Sequence, residues 1–532
     1  MIELYDTTLR DGTQGEGICL TLQDKLRITS ILDGFGIGLI EGGWPGSNPK
    51  DMAYFEHVQD IPLEHATVAA FGSTCRPALV PDQDANLRAL IESKAAVLTI
   101  FGKTWLRHVK RVLRTDANNN LRLIRDSVRY LSEQNRRVIY DAEHFFDGYQ
   151  DDADYALATL HAAVEGGAKT VVLCDTNGGM MPWQVEAIVR RVSQSLDACV
   201  GIHAHNDGGC AVANSVTALR AGARHVQGTM NGIGERCGNA DLCAVIANIE
   251  LKLGEQSLPK GRLDRLTEVA RTVAEICNSA PATGAPYVGR SAFAHKGGVH
   301  VAAIQRDEGC YEHCDPHTVG NNTRVLVSEL SGRGNIRSKA KEFGINLDDA
   351  TTGAGLLTRI KHLENEGYAF EAADASVELM MRRERGDHEP FFELIDFMVV
   401  VEHRDKRGHL AEANVKIRVG DQVIHTVAEG AGPVRAMDLA LRKALHDTYP
   451  TIGRFHLVDY KVRILDGIHG TRARTRVLID TGDGKNTWST VGASRNIIEA
   501  SWQALHDSFE YGLLKHHRTA RTATAVLAAE PA

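Results

Sequence analysis

The sequence predicts an α/β protein whose first domain is a closed (β/α)8 TIM barrel. Short apolar runs, typical of buried strands, alternate with amphipathic helical stretches over about the first 250 residues. Each of the eight runs is followed by a helical pattern, which favours a parallel sheet covered by helices. An open doubly wound sheet is the alternative, but no GxGxxG motif follows the first run, and eight units fit a closed barrel better. The predicted strands are residues 2–6, 39–43, 67–72, 96–101, 137–141, 170–175, 200–205 and 225–231.

Polar side chains follow the predicted strands at their carboxyl ends. In barrels of this kind, chemistry gathers at that face, so these side chains are candidates for function. Asp6 and Asp175 are interpreted as structural or supporting residues, and Glu235 with Arg236 as an ion pair that supports Asn239. The candidates at the strand ends are Asp6, Arg10, Asp11, Glu41, Asp141, Glu143, His144, Asp175, Thr176, Asn177, His203, His205, Asn206, Asp207, Asn231, Glu235, Arg236 and Asn239.

The stretch "GIHAHNDGG" places His203 and His205 two positions apart at the end of the seventh predicted strand. Alternate side chains of a strand lie on the same face, with about 7 Å between successive positions on that face. The two imidazoles could therefore bind one ion. The alternative is a pair of polar residues at a strand end. Asp11 and Asn239 follow neighbouring strands in a closed barrel and could complete the set. Such a mixed nitrogen and oxygen site suits Zn²⁺ or Mn²⁺, with Mg²⁺ as a further option.

The rest of the chain is organised differently. Residues 261–388 are interpreted as linker subdomains, and the charged segment 382–390 marks a boundary. An internal repeat follows, in which "ALHD" at 444–447 recurs at 504–507 and Arg435 aligns with Arg495. Two copies of strands followed by a helix predict an α+β domain with pseudo-twofold symmetry, suited to dimerisation or to a small-molecule site. The predicted domains are 1–260, 261–388, 389–516 and a disordered tail at 517–532.

Composition excludes several classes of protein. The formal net charge of −8 gives no indication of nucleic-acid or anionic-membrane binding. No apolar run approaches the ~20 residues that span a bilayer, and the start of the chain lacks signal-peptide architecture. Ten scattered cysteines suit a reducing cytoplasm. Cys310, His313 and Cys314 resemble a zinc cluster only weakly, because no second ligand pair stands at finger spacing.

Several long motifs, in one order along the chain, resemble a known enzyme family. "LYDTTLRDGTQ", "GIHAHND", "GTMNGIGERCGNA" and "FAHKGGVHVAA" are similar to metal-dependent barrel enzymes that condense acetyl-CoA with a 2-oxo acid. That family comprises the 2-isopropylmalate, homocitrate and citramalate synthases. "IEGGWPGSNPKD", "TIFGKTW", "YDAEHFFDGY", "LCDTNGG" and "RVLVSELSGRGNI" resemble the bacterial citramalate synthase branch in particular. The resemblance covers essentially the whole chain, including the repeat.

The resemblance implies an acyltransferase that joins acetyl-CoA to pyruvate, hydrolyses the thioester and releases (R)-citramalate and CoA. Glu143 corresponds to an acid/base residue, and His300 and Tyr311 to linker residues that reach the partner subunit's active site, with His295 as a second candidate in that loop. Arg10 corresponds to the residue that steadies the oxo-acid and its developing oxyanion, Asp11 to a residue near the substrate, and Thr176 to one that binds the oxo-acid carboxylate. The residues that correspond to metal ligands are Asp11, His203, His205 and Asn239.

The same resemblance implies a homodimer in isoleucine biosynthesis, with the repeat domain as a regulatory site for isoleucine, and the cysteine usage predicts that it is cytoplasmic. Three alternatives remain open at this point. The acceptor could be that of a 2-isopropylmalate or homocitrate synthase, since a methyl or methylene group changes binding by only about 1–3 kcal/mol. The barrel could belong to a metal-dependent hydrolase, although hydrolases of that kind carry their HxH on the first strand. The protein could also be a non-catalytic amino-acid sensor, which an intact ligand set disfavours.

Overall fold

The computed structural model divides the chain into two compact units. The first unit is Met1–Phe293 with Glu312–Thr323, and the second is Ala294–Tyr311 with Arg324–Ala532. The backbone is described for residues 1–347, 350–404, 408–465 and 472–529. Side chains are described for the same residues except 308, 350–352, 404, 408 and 518–529.

The first unit is built on a closed barrel of eight parallel strands in chain order, β1 pairing with β8, which confirms the predicted fold. The strands are β1 (Glu3–Asp6), β2 (Leu39–Gly43), β3 (Thr67–Ser73), β4 (Val97–Lys103), β5 (Arg137–Glu143), β6 (Thr170–Asp175), β7 (Cys199–Ala204) and β8 (His225–Gly228). The helices are α1 (Leu22–Phe35), α2 (Pro49–Val58), α3 (Ala85–Glu92), α4 (Leu106–His108), α5 (Ala117–Ser132), α6 (Phe145–Asp151), α7 (Ala153–Gly166), α8 (Pro182–Ser195), α9 (Ala211–Arg220), α10 (Leu242–Asn248) and α11 (Leu266–Ile276).

Local sequence signals explain where the elements begin and end. Thr21 and Asp24 form a reciprocal capping box at the start of α1, and Gly36 ends this helix in the left-handed region at φ 104°. A cluster of buried side chains from several strands fills the barrel interior, so the barrel is a packed core rather than a pore. The members of that cluster are Tyr5, Leu39, Ala69, Val97, Ile139, Val172 and Cys174.

The second unit contains the linker region and the repeat. Its helices are α12 (Gly298–Ile304), α13 (Arg333–Glu342), α14 (Ala350–Asn365), α15 (Asp374–Arg385), α16 (Pro433–Leu445) and α17 (Ile497–Ala529). Its strands are β9 (Ala294–His295), β10 (Arg324–Val325), β11 (Glu393–Arg404), β12 (Gly408–Val419), β13 (Gln422–Gly430), β14 (His456–Ile464), β15 (Thr475–Gly482) and β16 (Thr487–Ser494).

Each copy of the repeat is a three-stranded antiparallel sheet followed by a helix. Strands β11–β13 precede α16, and β14–β16 precede α17. Alternate residues of β12, such as Val415 and Ile417, are buried with Met437 and Leu441 of α16. The alternation of buried and exposed positions along these strands is that expected of sheets with one covered face.

The expected domain boundaries stay predictions. The compact barrel unit runs to Phe293, past the expected limit at residue 260, because α11 packs against α1. Most of the expected disordered tail, 517–532, lies outside the described side chains. No helix among the described residues is both long enough and apolar enough to cross a bilayer.

Candidate active site

The carboxyl ends of the barrel strands enclose a cavity of about 230 Å³. It brings together the predicted Arg10, Asp11, Glu143, Thr176, His203 and His205. A short β-bridge between His205 and Asn239 brings the eighth-strand loop beside the histidine pair. The residues lining the cavity are Arg10, Asp11, Gln14, Trp44, Phe71, Phe101, Asp141, Glu143, Cys174, Thr176, His203, His205, Glu235 and Arg236.

Asp11, His203 and His205 form the candidate metal site. One ligand atom from each lies within 4.8 Å of the others, the only such trio of His, Cys, Asp or Glu side chains in the described part of the chain. Asp11 Oδ1, His205 Nδ1 and Asn239 Oδ1 are buried, and no described residue forms a hydrogen bond with any of them. Each orphaned buried polar group costs about 1–3 kcal/mol, so a cation that they could ligate would remove this penalty. The donor set therefore fits a divalent metal ion.

A second layer of hydrogen bonds orients His203. The side chain of Gln227 is fully buried, and its Nε2 donates to Asp141 Oδ1 at 3.0 Å. Gln227 Oε1 is left to accept from His203 Nδ1 at 2.7 Å. This contact assigns the imidazole hydrogen to Nδ1 and turns Nε2 toward Asp11 Oδ2, 3.3 Å away. Such an arrangement fixes the tautomer that a metal ligand requires.

The charges in the cavity are strongly coupled. Burial would raise the pKa of Asp11, but Arg10 and His203 hold it well below its usual range. Burial would lower the pKa of His203, but the contact with Asp11 raises it. Burial, followed by the charge of His203, lowers the pKa of His205 to about 4. His205 is therefore a neutral imidazole at pH 7, the form that binds a cation.

Arg10 is fixed on three sides. Its Nε donates to Glu41 Oε2 at 2.5 Å, and its Nη1 donates to Asp11 Oδ2 at 3.1 Å. The guanidinium carbon lies 3.8 Å above the centre of the Phe71 ring. Glu41 is itself held by the hydroxyl of Tyr5, which donates to Oε1 at 2.7 Å. Arg10 is thus a preoriented positive charge beside the candidate metal site.

Glu143 and Thr176 lie on adjacent strand ends. Glu143 forms an ion pair with Lys103 of β4. The backbone N–H of His144 donates to Thr176 Oγ1 at 2.9 Å. The hydroxyl hydrogen of Thr176, which has no acceptor among the described residues, can therefore donate to an anion. His144 adopts a left-handed backbone conformation at φ 55°, where the chain leaves β5. Glu143 and Thr176 line the side of the cavity between β5 and β6.

Arg236 holds the loop after β8 in place through hydrogen bonds. Its Nε and Nη2 donate to Asp207 at 2.8 and 2.9 Å, and its Nη2 also donates to the Thr176 carbonyl at 2.7 Å. The expected partner Glu235 is farther away, at 3.6 Å. Asp175 accepts hydrogen bonds from the backbone N–H groups of Gly179 and Met180, so it shapes the loop after β6. Arg236 therefore joins the loops after β6, β7 and β8.

The expected linker residues lie in the second compact unit, and their roles stay predictions. His300 and Tyr311 stack with ring centroids 4.3 Å apart, while His295 lies in the short strand β9. Cys310, His313 and Cys314 form no metal-ligand trio within the described residues.

Sequence reasoning missed several residues at this mouth. Trp44, Phe71 and Phe101 form one aromatic wall, with Phe71 stacked on Phe101 at 5.5 Å and Trp44 edge-on to both. The strand ends could have indicated Phe71 and Phe101, but apolar side chains there are not separable from core residues by pattern. No sequence pattern indicates Gln227, because its role depends on hydrogen bonds to side chains of other strands.

Family profiles match three successive parts of the chain. An HMGL-like profile matches residues 1–273. A profile described as homocitrate synthase post-HMGL domain-like matches residues 287–368. A profile for the LeuA allosteric (dimerisation) domain matches residues 371–513. The first match alone covers more than half of the chain.

Curated relatives align over almost the full length. An (R)-citramalate synthase of Geobacter sulfurreducens is 52% identical over 519 residues, covering 97% of this chain and 98% of the relative. One from Aquifex aeolicus is 49% identical, covering 97% and 98%. A probable 2-isopropylmalate synthase of Methanopyrus kandleri is 30% identical, covering 94% and 96%. From its motifs, its barrel mouth and these full-length relatives, we conclude that the chain belongs to the (R)-citramalate synthase family, within the HMGL-like barrel enzymes.

Proposed function

We propose that this protein is an acyltransferase that condenses acetyl-CoA with pyruvate and water to give (R)-citramalate and CoA. The observation that carries the proposal is the small cavity in which Arg10 lies beside the Asp11, His203 and His205 cluster. The reaction needs a carbon acid deprotonated, a ketone oxygen stabilised as negative charge develops, and a thioester hydrolysed. The cavity supplies a positive charge and a cation site for the second requirement.

The acceptor keto acid would be held by two groups that already point into the cavity. Thr176 has a free hydroxyl hydrogen for the carboxylate, because its oxygen accepts from His144 N–H. Glu41 and Asp11 hold Nε and Nη1 of Arg10, which leaves Nη2 to donate to the ketone oxygen. The aromatic wall of Trp44, Phe71 and Phe101 leaves room for a small acceptor, which favours pyruvate over branched or longer oxo acids.

A divalent ion, when bound by Asp11, His203, His205 and Asn239, would supply Lewis-acid polarisation of the acceptor carbonyl. The buried, unpartnered atoms of Asp11, His205 and Asn239 support this ligand set. Gln227 would keep the Nε2 lone pair of His203 directed at the site. The donor set accommodates Zn²⁺, Mn²⁺ or Mg²⁺.

Glu143 is the proposed acid/base residue on the barrel. Its carboxylate lines the cavity and forms an ion pair with Lys103, which keeps it within reach of the acceptor side. We propose that His300 of the partner subunit and Tyr311 of the partner subunit, both from the linker, act with Glu143 in proton transfer and water activation. A positioned acid/base group contributes typically 10²- to 10⁴-fold in rate.

An oxo-acid panel tests this function. CoA release should be measured with pyruvate, 2-oxoisovalerate and 2-oxoglutarate, on chelated enzyme to which metal is added back. We expect the highest kcat/KM with pyruvate. A preference for 2-oxoisovalerate or 2-oxoglutarate would assign the acceptor of the sister synthases, and no acetyl-CoA-dependent turnover would reject the synthase function.

We propose further that the protein is a cytoplasmic homodimer whose repeat domain binds isoleucine as an end-product inhibitor. The LeuA dimerisation match supports the dimer, as do exposed apolar side chains on the repeat sheets, among them Met398, Val401, Val458 and Ile464. Ten free cysteines suit a reducing compartment. Inhibition by isoleucine that exceeds inhibition by leucine and valine at equal concentration would support the effector, and equal sensitivity to all three would reject it.

A further inference from the structure

Four arginines converge on one cavity in the second compact unit. The cavity measures about 670 Å³ and is lined by Arg472, Arg474, Arg476 and Arg495, together with Glu364, Asn365, Gly367 and Leu465. The described residues of the lining therefore carry a net charge of about three positive units. Within the described residues, none of the four guanidinium groups forms an ion pair with a carboxylate.

Strand register explains the convergence. In β14 and β15, Arg463 stands directly opposite Arg476, and Thr475 pairs with Ser494, the residue before Arg495. Like charges directly opposite each other destabilise a sheet. Burial, followed by the nearby charge of Arg463, lowers the pKa of Arg476. The sheet of β14–β16 thus places two like charges directly opposite each other, and Arg476 of this pair lines the cavity.

Two of the arginines are anchored by the turn after α14. Arg476 Nε donates to the Gly367 carbonyl at 2.5 Å and its Nη2 to the Tyr368 carbonyl at 3.1 Å, while Arg474 donates to the Glu366 carbonyl. Gly367 has φ 104°, and a Cβ there would lie 2.5 Å from Leu465 Cδ1 and 3.0 Å from Arg474 Cδ. A glycine is therefore needed for this close approach. The anchors hold both guanidinium groups at the cavity wall.

Glu364, the one carboxylate among the described residues of the lining, accepts hydrogen bonds from the backbone. Its Oε1 accepts from Phe370 N–H at 3.1 Å and its Oε2 from Glu329 N–H at 2.6 Å. Glu364 therefore joins two chain segments through these hydrogen bonds. The exposed Arg472 and Arg495 have no carboxylate partner among the described residues and remain free to bind an anion.

We infer that this cavity binds a small organic diphosphate or triphosphate. Arginine forks match phosphate oxygens two at a time, and the cavity volume falls within the usual range for small-molecule sites. A single phosphate monoester carries only about −1.5 to −2 charge, so two or more phosphates match the lining better. The diphosphate could belong to a free nucleotide or to CoA.

The internal repeat supplies a matched control. Arg435 aligns with Arg495, is also exposed, and lies outside the lining of the arginine cavity. The test uses the full chain and isothermal titration with inorganic pyrophosphate, ADP, CoA and citrate. The variants are the double substitution R472Q/R495Q, each of its single substitutions, and R435Q, with circular dichroism to confirm folding.

We expect pyrophosphate and ADP to bind wild type and R435Q equally, and R472Q/R495Q at least about tenfold more weakly. If the double variant fails to fold, each single variant should weaken binding severalfold. A CoA stoichiometry that falls from two to one in the double variant assigns the diphosphate to CoA, whereas ADP loss with unchanged CoA stoichiometry assigns it to a free nucleotide. Equal binding by all variants, citrate binding as tight as pyrophosphate, or no pyrophosphate binding by wild type would overturn the inference.

Discussion

Replacing Gln227 with leucine should weaken metal binding although Gln227 does not touch the metal site. The substitution removes the acceptor of the 2.7 Å hydrogen bond from His203 Nδ1 and the donor to Asp141. His203 Nδ1 and Asp141 Oδ1 would be left without these partners in a buried environment. His203 would then lose the contact that fixes its tautomer and its ring orientation.

The structure sets the size of this effect. An unpaired buried donor costs about 1–3 kcal/mol, and loss of such an orienting partner typically lowers metal affinity 10- to 100-fold. We therefore expect the metal dissociation constant of Gln227→Leu to rise about 10- to 100-fold, equivalent to about 1.4–2.8 kcal/mol. At saturating metal, kcat should recover to within about tenfold of wild type.

The assay is competition for Mn²⁺ or Zn²⁺ against a chromophoric chelator, on protein shown to be folded by circular dichroism. Asp141→Asn is the matched control, because an amide oxygen still accepts from Gln227 Nε2 and leaves the contact with His203 intact. Its metal affinity should stay within about threefold of wild type. If Gln227→Leu also stays within threefold, the orienting role assigned to Gln227 is wrong.

Three further predictions concern the acceptor site and the barrel base. Arg10→Lys should lower kcat/KM for pyruvate at least about 100-fold in steady-state assays. A lysine ammonium cannot bind both Glu41 and Asp11 and also donate to the substrate, as the guanidinium can. A loss of less than fivefold would contradict this role. Phe101→Ala should raise the kcat/KM ratio of 2-oxoisovalerate to pyruvate about 10- to 100-fold by opening the aromatic wall, and an unchanged ratio would show that this wall does not select the acceptor. Burial would raise the pKa of Glu3, but hydrogen bonds from His225 and Arg137 lower it from 4.5 to about 2. The stabilisation by Glu3 is therefore present above about pH 4.5 and lost as pH falls toward 2. After allowance for the partial exposure of Glu3, Glu3→Gln should lower the free energy of unfolding in urea by about 1–2 kcal/mol at pH 7 and by less at pH 3. A loss of stability that grows at low pH would show that the assigned sign is wrong.

The barrel was predictable because its signal is local and repeated. Eight buried strands alternating with amphipathic helices leave few other arrangements, and the strand bounds agree within a few residues, as at Leu39–Gly43 and Thr170–Asp175. The catalytic face followed from topology, since parallel strands place their carboxyl ends together. Arg10, His203 and His205 could therefore be assigned to one mouth before any geometry was known.

The supporting contacts could not be predicted from the same patterns. Gln227 orients His203 across two strands, and Glu41 fixes Arg10 over 31 residues of chain, so both depend on register and rotamer. Phe71 and Phe101 have the same apolar pattern as core residues until the mouth is closed around them. The arginine cavity depends on the pairing of two strands with a turn about 108 residues away.

The most direct test of the account is the metal content of the purified enzyme, measured by elemental analysis beside that of a His203→Ala/His205→Ala variant. We expect about one divalent ion per wild-type chain and its loss in the folded variant. Wild-type turnover should disappear on chelation and return when metal is added back. Retention of the ion by the variant, or full turnover in metal-free wild-type protein, would contradict it.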